Sequence, residues 1–318
     1  MSNGIPQGSP TLVSIILPVW NPQPKWLAEA IDSAFHESGC EIEVVLVDDG
    51  SDLPPDAWLS SRDAGRVRVI RVPHRGVGHA RNVALQHCRG EFIRFLDSDD
   101  VILPESTSLL LKLTRGMNNI VTYGSTIVCD ADLQPQSMIR SRLHSRIHFQ
   151  TAMGHFHSMI QAMLIPHKVA IAVGGFDERL VVQGDWDFVL RVSEVMEFCD
   201  TQQPVFLYRR HENSLTWGGA PRKAAIHSTV LIIKGYLKRH PELSGTSVER
   251  RVRAYAQFQI AKFRNPGRAI FSQRFWLAVA ADPVRGIAIA SAQIAAITMR
   301  TVKNKVFSKG DSVLETRN

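Results

Sequence analysis

The chain has 318 residues, is 44% hydrophobic and 21% charged, and carries a net charge of +7. That is the profile of an ordinary globular protein, long enough for one large core or one domain with an appendage. The four cysteines (Cys40, Cys88, Cys129, Cys199) include no CxxC pair and have no histidine at zinc spacing, which excludes a zinc module and fits a reducing compartment.

The charge is unevenly placed. Residues 1–221 hold 19 Lys and Arg against 25 Asp and Glu, whereas residues 222–318 hold 18 against 5. An acidic body with a basic tail points to an anionic partner for the tail, membrane lipid or nucleic acid; a solvated basic helical face is the bland alternative. Residues 1–11 read as a disordered N-terminus, and Met1 to Pro10 has neither the basic region nor the apolar run of a secretory signal.

Leu12 to Val19 is an almost unbroken apolar run, as expected for a strand covered on both faces, and it ends at Pro18-Val19-Trp20-Asn21. Apolar residues at Trp26, Leu27, Ala30, Ile31, Ala34 and Phe35 predict a helix over 25–37. A second strand, Ile42 to Val47, runs into Asp48-Asp49-Gly50-Ser51, and a third, Val67 to Val72, into Pro73-His74-Arg75-Gly76. A helix from His79 to Cys88 follows. The fourth strand opens at Phe92 and runs into Asp97-Ser98-Asp99-Asp100, with Pro104 predicted to open the next helix.

Strand and helix alternate as in an open parallel α/β sheet, where ligands bind at the carboxyl ends of the strands. Asn21, Asp48-Asp49, Arg75 to Arg81 and Asp97 to Asp100 all fall at such ends. Asp97 and Asp99, two apart, leave an extended segment on the same face, where two carboxylates repel unless a cation such as Mg²⁺ or Mn²⁺ lies between them. An Asp-rich turn capping a helix is the competing explanation. Gly76-x-Gly78 follows the third strand, not the first, and lacks the third glycine of a dinucleotide fingerprint, so an oxidoreductase of that type is rejected.

Farther along, Ile120 to Val128 reads as a strand and Asp130 to Gln150 as a polar loop with Arg140, Arg142 and Arg146. His144, His148, His155 and His157 match no metal signature and read as surface or acceptor-groove residues. Met159 to Ile165 is apolar, Gly174-Gly175 ends a short helix, Asp185 to Met196 is helical, and Val205 to Tyr208 is a short strand leading to His211. Helices are predicted at 223–239 and 248–263. Phe271 to Met299 is mostly apolar but interrupted by Asp282-Pro283 and Arg285, too short in its clean part to span a bilayer comfortably. An interfacial amphipathic pair, a helical cap and a dimer contact remain open for this region.

The motifs together resemble the family 2 inverting glycosyltransferases with the GT-A, nucleotide-diphospho-sugar transferase fold. The resemblance rests on Ile16 to Asn21, Val47 to Ser51, Gly76 to Asn82, Phe95 to Asp100, Gly174 to Glu178 and Asp185 to Arg191, in the family's order, over roughly residues 12–215. It implies a GT-A domain over 12–220 with an open, mostly parallel sheet flanked by helices, and a basic helical extension over 221–318. It implies donor-binding roles for Pro18, Asn21, Asp48, Asp49, Arg81, Asp97 and Ser98. Asp99, with His211 as a further ligand, would hold Mn²⁺ or Mg²⁺, and Asp185 would be the general base. Gly184 stands where the family usually has glutamate.

The implied reaction moves a sugar from a nucleoside-diphosphate sugar, UDP-linked, to a carbohydrate or lipid-linked acceptor with inversion. The QxxRW motif of processive synthases is missing from the sequence, which argues for one sugar or a few per encounter. The implied setting is cytoplasmic, with the tail on the anionic inner membrane face and no nucleic-acid partner. Two other functions compete with this one. A sugar-nucleotide nucleotidyltransferase would carry a glycine-rich, lysine-bearing loop after the first strand, and Trp20-Asn21-Pro22-Gln23-Pro24 offers none. A non-catalytic scaffold would have no need to keep Asp48, Asp97, Asp99 and Asp185 together.

Overall fold

The structure, a computed structural model, describes residues 10–114, 119–141, 159–212 and 222–264. The chain divides into two compact units, Met1–Ala220 and Pro221–Asn318.

In the first unit, β1 (Leu12–Val19), β2 (Glu41–Asp49), β3 (Val67–Val72) and β4 (Phe92–Phe95) form a parallel half-sheet in the order β3-β2-β1-β4. Helices α1 (Pro24–Ala34) and α3 (Val77–His87) are the crossovers, with a short α2 (Ser61–Ala64) between β2 and β3. β1 is buried from Val13 onward because it is central, and that is why its sequence is apolar rather than alternating. Its Pro18 lies beyond the Val13 to Ile16 stretch that pairs with β4. The core here is built from Ile15, Leu17, Val44 and Leu46 of the sheet with Leu27 and Ile31 of α1.

The sheet continues past β4 in mixed fashion. β5 is Val101–Ile102, β6 is Ile120–Cys129, β7 is Pro135–Ile139, β8 is Met163–Pro166 and β9 is Glu197–Arg209. β8 runs antiparallel to both β4 and β6, β9 is parallel to β6, and β5 and β7 are antiparallel edges. Helices α4 (Ser106–Thr114), α5 (His167–Ala172) and α6 (Gly184–Ser193) complete the unit. This α/β sheet flanked by helices is the architecture expected from the sequence.

Several local readings change. The expected polar loop after Asp130 contains β7, a strand with an exposed face whose partner supplies most of the order. The short strand at Val205 starts eight residues earlier, at Glu197, because β6 offers a long edge to pair with. Pro104 precedes α4, which begins at Ser106. Gly174 and Gly175 end α5 with φ of 86° and 62°, a left-handed turn that suits glycine.

In the second unit, α7 (Arg222–Arg239) packs on α8 (Ser247–Arg264), burying Ile232, Ile233, Tyr236, Val252 and Ala256. The 271–299 run, the histidines at 144, 148, 155 and 157, and Arg142 and Arg146 lie outside the described residues. Among the described residues, no helix is long and apolar enough to cross a membrane.

Candidate active site

The carboxyl ends of β1, β2 and β4 hold the acidic and amide side chains singled out by the sequence. Asn21, at φ 46°, closes β1 against the loop after β2: its backbone N–H donates to Ser51 Oγ (2.8 Å), and its side-chain amide exchanges hydrogen bonds with Asp52. Pro18 is buried within β1. Trp20, 54% exposed, stacks on His74 with ring centroids 4.8 Å apart and planes 25° apart.

The two acids ending β2 do different work. Asp49 accepts the backbone N–H groups of Arg75 and Gly76 (2.9 and 2.8 Å), folding the loop that carries α3. His74 Nδ1 lies 3.0 Å from the same carboxylate. Gly76 caps α3 at φ 100°, a conformation that favours glycine. Asp48 is fully buried. Its Oδ1 accepts from the Ser51 N–H (2.9 Å), while Oδ2 receives no hydrogen bond among the described residues, though Arg71 Nε stands 3.4 Å away. A buried carboxylate oxygen left unpaired is costly unless a ligand N–H or O–H reaches it.

The acids after β4 do not follow the alternation of an extended strand. The strand stops at Phe95, and Asp100 N–H donates to the Asp97 carbonyl (3.1 Å), closing a turn. Asp97 and Asp99 are therefore held by different partners rather than by a shared face. Arg81 Nη2 donates to Asp97 Oδ1 (2.8 Å), and Gln161 Nε2 donates to Asp97 Oδ2. Asp99 Oδ2 meets His211 Nε2 at 2.7 Å. Ser98 sits half-buried between them. Burial first, and then the neighbouring Asp97 charge, push the Asp99 carboxyl above its ordinary range. Asp100, fully buried with Oδ2 unpaired among the described residues, is pushed up more strongly by burial and by Asp99 and Asp97.

Arg81 is only 6% exposed, with its guanidinium 5.3 Å from the Phe176 ring centroid and 5.7 Å from that of Phe95. Phe176 in turn stacks on Phe188 of α6 at 4.6 Å. Asn82 clasps the same segment, donating to the Phe176 carbonyl and accepting its N–H (2.9 and 2.7 Å).

Sequence reasoning missed three side chains that hold this cluster together. Arg209, 1% exposed, donates from Nε to the Asp99 carbonyl (2.7 Å) and from its backbone N–H to Asp100 Oδ1 (2.8 Å), and its Nη2 pairs with Glu29. Trp26 of α1 carries the Arg209 guanidinium at 5.1 Å and the His211 ring at 4.6 Å. Gln161 completes the Asp97 contacts. Only Arg209, two residues before His211, offered any local hint.

Asp185 is exposed and is the second residue of α6, not its N-cap. Gln183 occupies that place in a left-handed conformation, and Asp185 Oδ1 accepts the adjacent Trp186 N–H (2.8 Å). Acidic residues in the first turn suit the helix dipole. The neighbouring Asp187 is buried and pairs with Arg191 at 2.6 Å.

A divalent cation can be tested against this donor set. Among the described residues, no group of three or more His, Cys, Asp or Glu forms a metal cage. Asp99 and His211 are in contact, and the Asp99 charge is disfavoured by burial and by Asp97. One carboxylate and one imidazole fit a cation whose remaining ligands are substrate phosphates and water.

Burial disfavours the thiolate form of all four cysteines. Burial pushes the Cys40 thiol up to about 11 and the Cys88 thiol up to about 12.

Comparison with known proteins agrees with this geometry. The family described as Glycosyl transferase family 2 matches residues 14–174. The chondroitin synthase of Escherichia coli is 30% identical over 195 residues, 59% of this chain and 27% of the relative. The uncharacterized glycosyltransferase EpsJ of Bacillus subtilis is 37% identical over 109 residues, 33% of this chain and 30% of that protein. The chain spans less than a third of the length of the first curated relatives it matches, 27% to 32% of each. Among solved structures, S. aureus TarS 1-349 in complex with UDP-GlcNAc superposes with a TM-score of 0.58 at 17% identity, covering 89% of this chain and 92% of that one. That likeness is one of fold.

Proposed function

The chain belongs to glycosyl transferase family 2, and from that premise we propose that it transfers a sugar from a UDP-linked donor to an acceptor hydroxyl with inversion, one sugar or a few per encounter. The observation that carries this reading is the placement of Asp48 at the end of β2, of Asp97 and Asp99 just past β4, and of Arg81 on α3 against Asp97, with Asp48 Oδ2 buried and accepting no hydrogen bond among the described residues, Arg71 Nε standing 3.4 Å away. A base N–H is a suitable partner for that oxygen. The UDP-GlcNAc in the TarS complex, a protein of like fold, supports a uridine-linked donor. The name chondroitin synthase supports an acceptor in cell-surface polysaccharide or glycolipid synthesis.

Asp48 would read the base, with Pro18, Asn21 and Asp49 shaping its surroundings. Asp97, held by Arg81, and Ser98 would face the ribose and diphosphate. Asp99 and His211 would hold Mn²⁺ or Mg²⁺, which supplies positive charge against the leaving diphosphate. Asp185 is exposed, its Oδ1 accepts the adjacent Trp186 N–H, and it would take the proton of the acceptor hydroxyl. Attack from the side opposite the leaving group inverts the anomeric centre through an oxocarbenium-like state. Gly184, where the family usually has glutamate, leaves that proton transfer to Asp185 alone of the pair.

For the basic extension we propose reversible attachment to an anionic membrane face, beside lipid-linked acceptors. Each Lys or Arg near such a surface contributes about 1 kcal/mol. Flotation with anionic and neutral liposomes at low and high salt tests it, and equal indifference to both lipids removes the idea.

The donor reading is tested by thermal stabilisation of the purified chain with a panel of nucleotide sugars and Mn²⁺. A ligand present at 100 times its Kd stabilises by about 2.7 kcal/mol. UDP-sugars are expected to raise the melting temperature in the presence of Mn²⁺; a panel without effect overturns the reading.

A further inference from the structure

We propose that Gln161 is a positioning residue that, opposite Arg81, fixes the Asp97 carboxylate for the donor; this rests on the donor-site reading above. Asp97 is engaged on both oxygens, Oδ1 by Arg81 Nη2 and Oδ2 by Gln161 Nε2. An ionised carboxylate only accepts, so the amide nitrogen, not its oxygen, must face it. Two donors on opposite oxygens remove the rotation about Cβ–Cγ that a single donor leaves. The remaining lone pairs of Asp97, whose side chain is still 30% exposed, then have one direction.

Gln161 is itself anchored. It is 8% exposed in a single 3₁₀ turn, Ile160–Ala162, just before β8. Its backbone carbonyl accepts Arg94 Nε at 3.2 Å. Arg94 is completely buried, and its other hydrogen bonds go to the Ser106 and Thr107 hydroxyls (2.9 Å each) and the Val205 carbonyl (2.6 Å). A buried guanidinium bound only to neutral oxygens is an expensive brace. It ties β4, α4, β9 and the Gln161 turn into one frame, so the turn cannot drift from Asp97. Glutamine 64 residues after an aspartate carries no sequence signal, and the contact arises only when β8 pairs with β4.

The test is a double-mutant cycle on the full chain, with UDP and Mn²⁺ as the probe and melting temperature recorded alongside. Gln161→Met keeps the volume and removes the donor; Gln161→Glu keeps the shape and sets a second carboxylate against Asp97. In the otherwise native chain, Gln161→Met is expected to weaken UDP binding about tenfold and Gln161→Glu more, with little change in melting temperature. In an Asp97→Ala background, titrated to millimolar UDP, Gln161→Met is expected to cost less than about twofold, because the coupling runs through Asp97. Equal losses in both backgrounds, or no loss in the native one, overturn the proposal. If the native chain binds none of UDP, GDP, dTDP or CDP with Mn²⁺, the donor reading fails first and the clamp with it. Native binding indifferent to both Gln161 variants sinks the clamp alone.

Discussion

Two pairs of acids close neighbouring parts of one sheet, and they are handled in opposite ways. After β2, Asp49 spends both carboxylate oxygens on backbone N–H groups of the next loop, and Asp48 spends one on Ser51. After β4, Asp99 and Asp100 are crowded beside Asp97 in a tight turn, and burial and mutual repulsion hold both above the ordinary carboxylate range. In the first cluster folding itself supplies the donors for three of the four carboxylate oxygens, leaving Asp48 Oδ2 without a hydrogen bond among the described residues. In the second, Arg81, His211 and the Arg209 N–H each meet one acid, yet burial and repulsion still disfavour the charged Asp99 and Asp100, a cost that a cation can relieve. Acidic motifs that look alike in sequence thus divide into one in which Asp49 builds the loop beside Asp48 and one in which the acids crowd one another.

The largest expected effect comes from an acid belonging to neither cluster. Asp185→Asn leaves an exposed position of similar shape, so UDP affinity and melting temperature should hold while turnover falls by roughly 10²–10⁴-fold. Steady-state rates measured beside UDP titration check this, and near-native turnover would hand the base role to another residue.

Within the crowded cluster, Asp99→Asn should weaken Mn²⁺-dependent UDP binding by about tenfold or more. Because the native anion is disfavoured by burial and by Asp97, removing its charge should leave stability at neutral pH unchanged or slightly raised. Calorimetric titration with and without Mn²⁺ separates the two readouts.

The loop-building cluster should behave in the reverse sense. Asp49→Ala strands the N–H groups of Arg75 and Gly76 and is expected to cost about 2 kcal/mol of stability, seen in urea unfolding. If it costs nothing while UDP binding collapses, the contrast between the two clusters is wrong.

The smallest effect sharpens the same distinction through pH. Burial alone would raise Glu43, but the Ser14 hydroxyl, the Arg89 N–H and the Arg89 guanidinium outweigh it and hold the carboxyl below its usual range. A depressed carboxyl stabilises the fold above its unfolded pKa, and that contribution fades as pH falls through the folded value. Glu43→Gln should therefore lower the melting temperature modestly at pH 7, with the gap closing below about pH 4.

The sequence by itself determined the elements whose pattern is local. β1 and β3 have the predicted bounds because a nearly unbroken apolar run in β1 and β-branched residues interleaved with Arg68 and Arg71 in β3 both end at strong breakers, Asn21-Pro22 and Pro73. The strand-end positions of Asn21, Asp48 and Asp97, and of the loop into α3 that carries Arg81, followed from the strand–helix rhythm, and the ordered motifs pointed to the family. Where alternation was pushed past the end of a strand it failed: Asp97 and Asp99 sit in a turn, so their separation is set by Arg81, Gln161 and His211 rather than by the pleat. Edge strand β7 and the first half of β9 were also illegible, since their order comes from pairing with β6 and not from their own composition. Arg94, Arg209 and Gln161 belong to the same class. Each is polar, scattered in sequence and buried, and what places it is a set of acceptors drawn from segments up to 180 residues away. Only tertiary packing excludes water there and makes a particular partner obligatory.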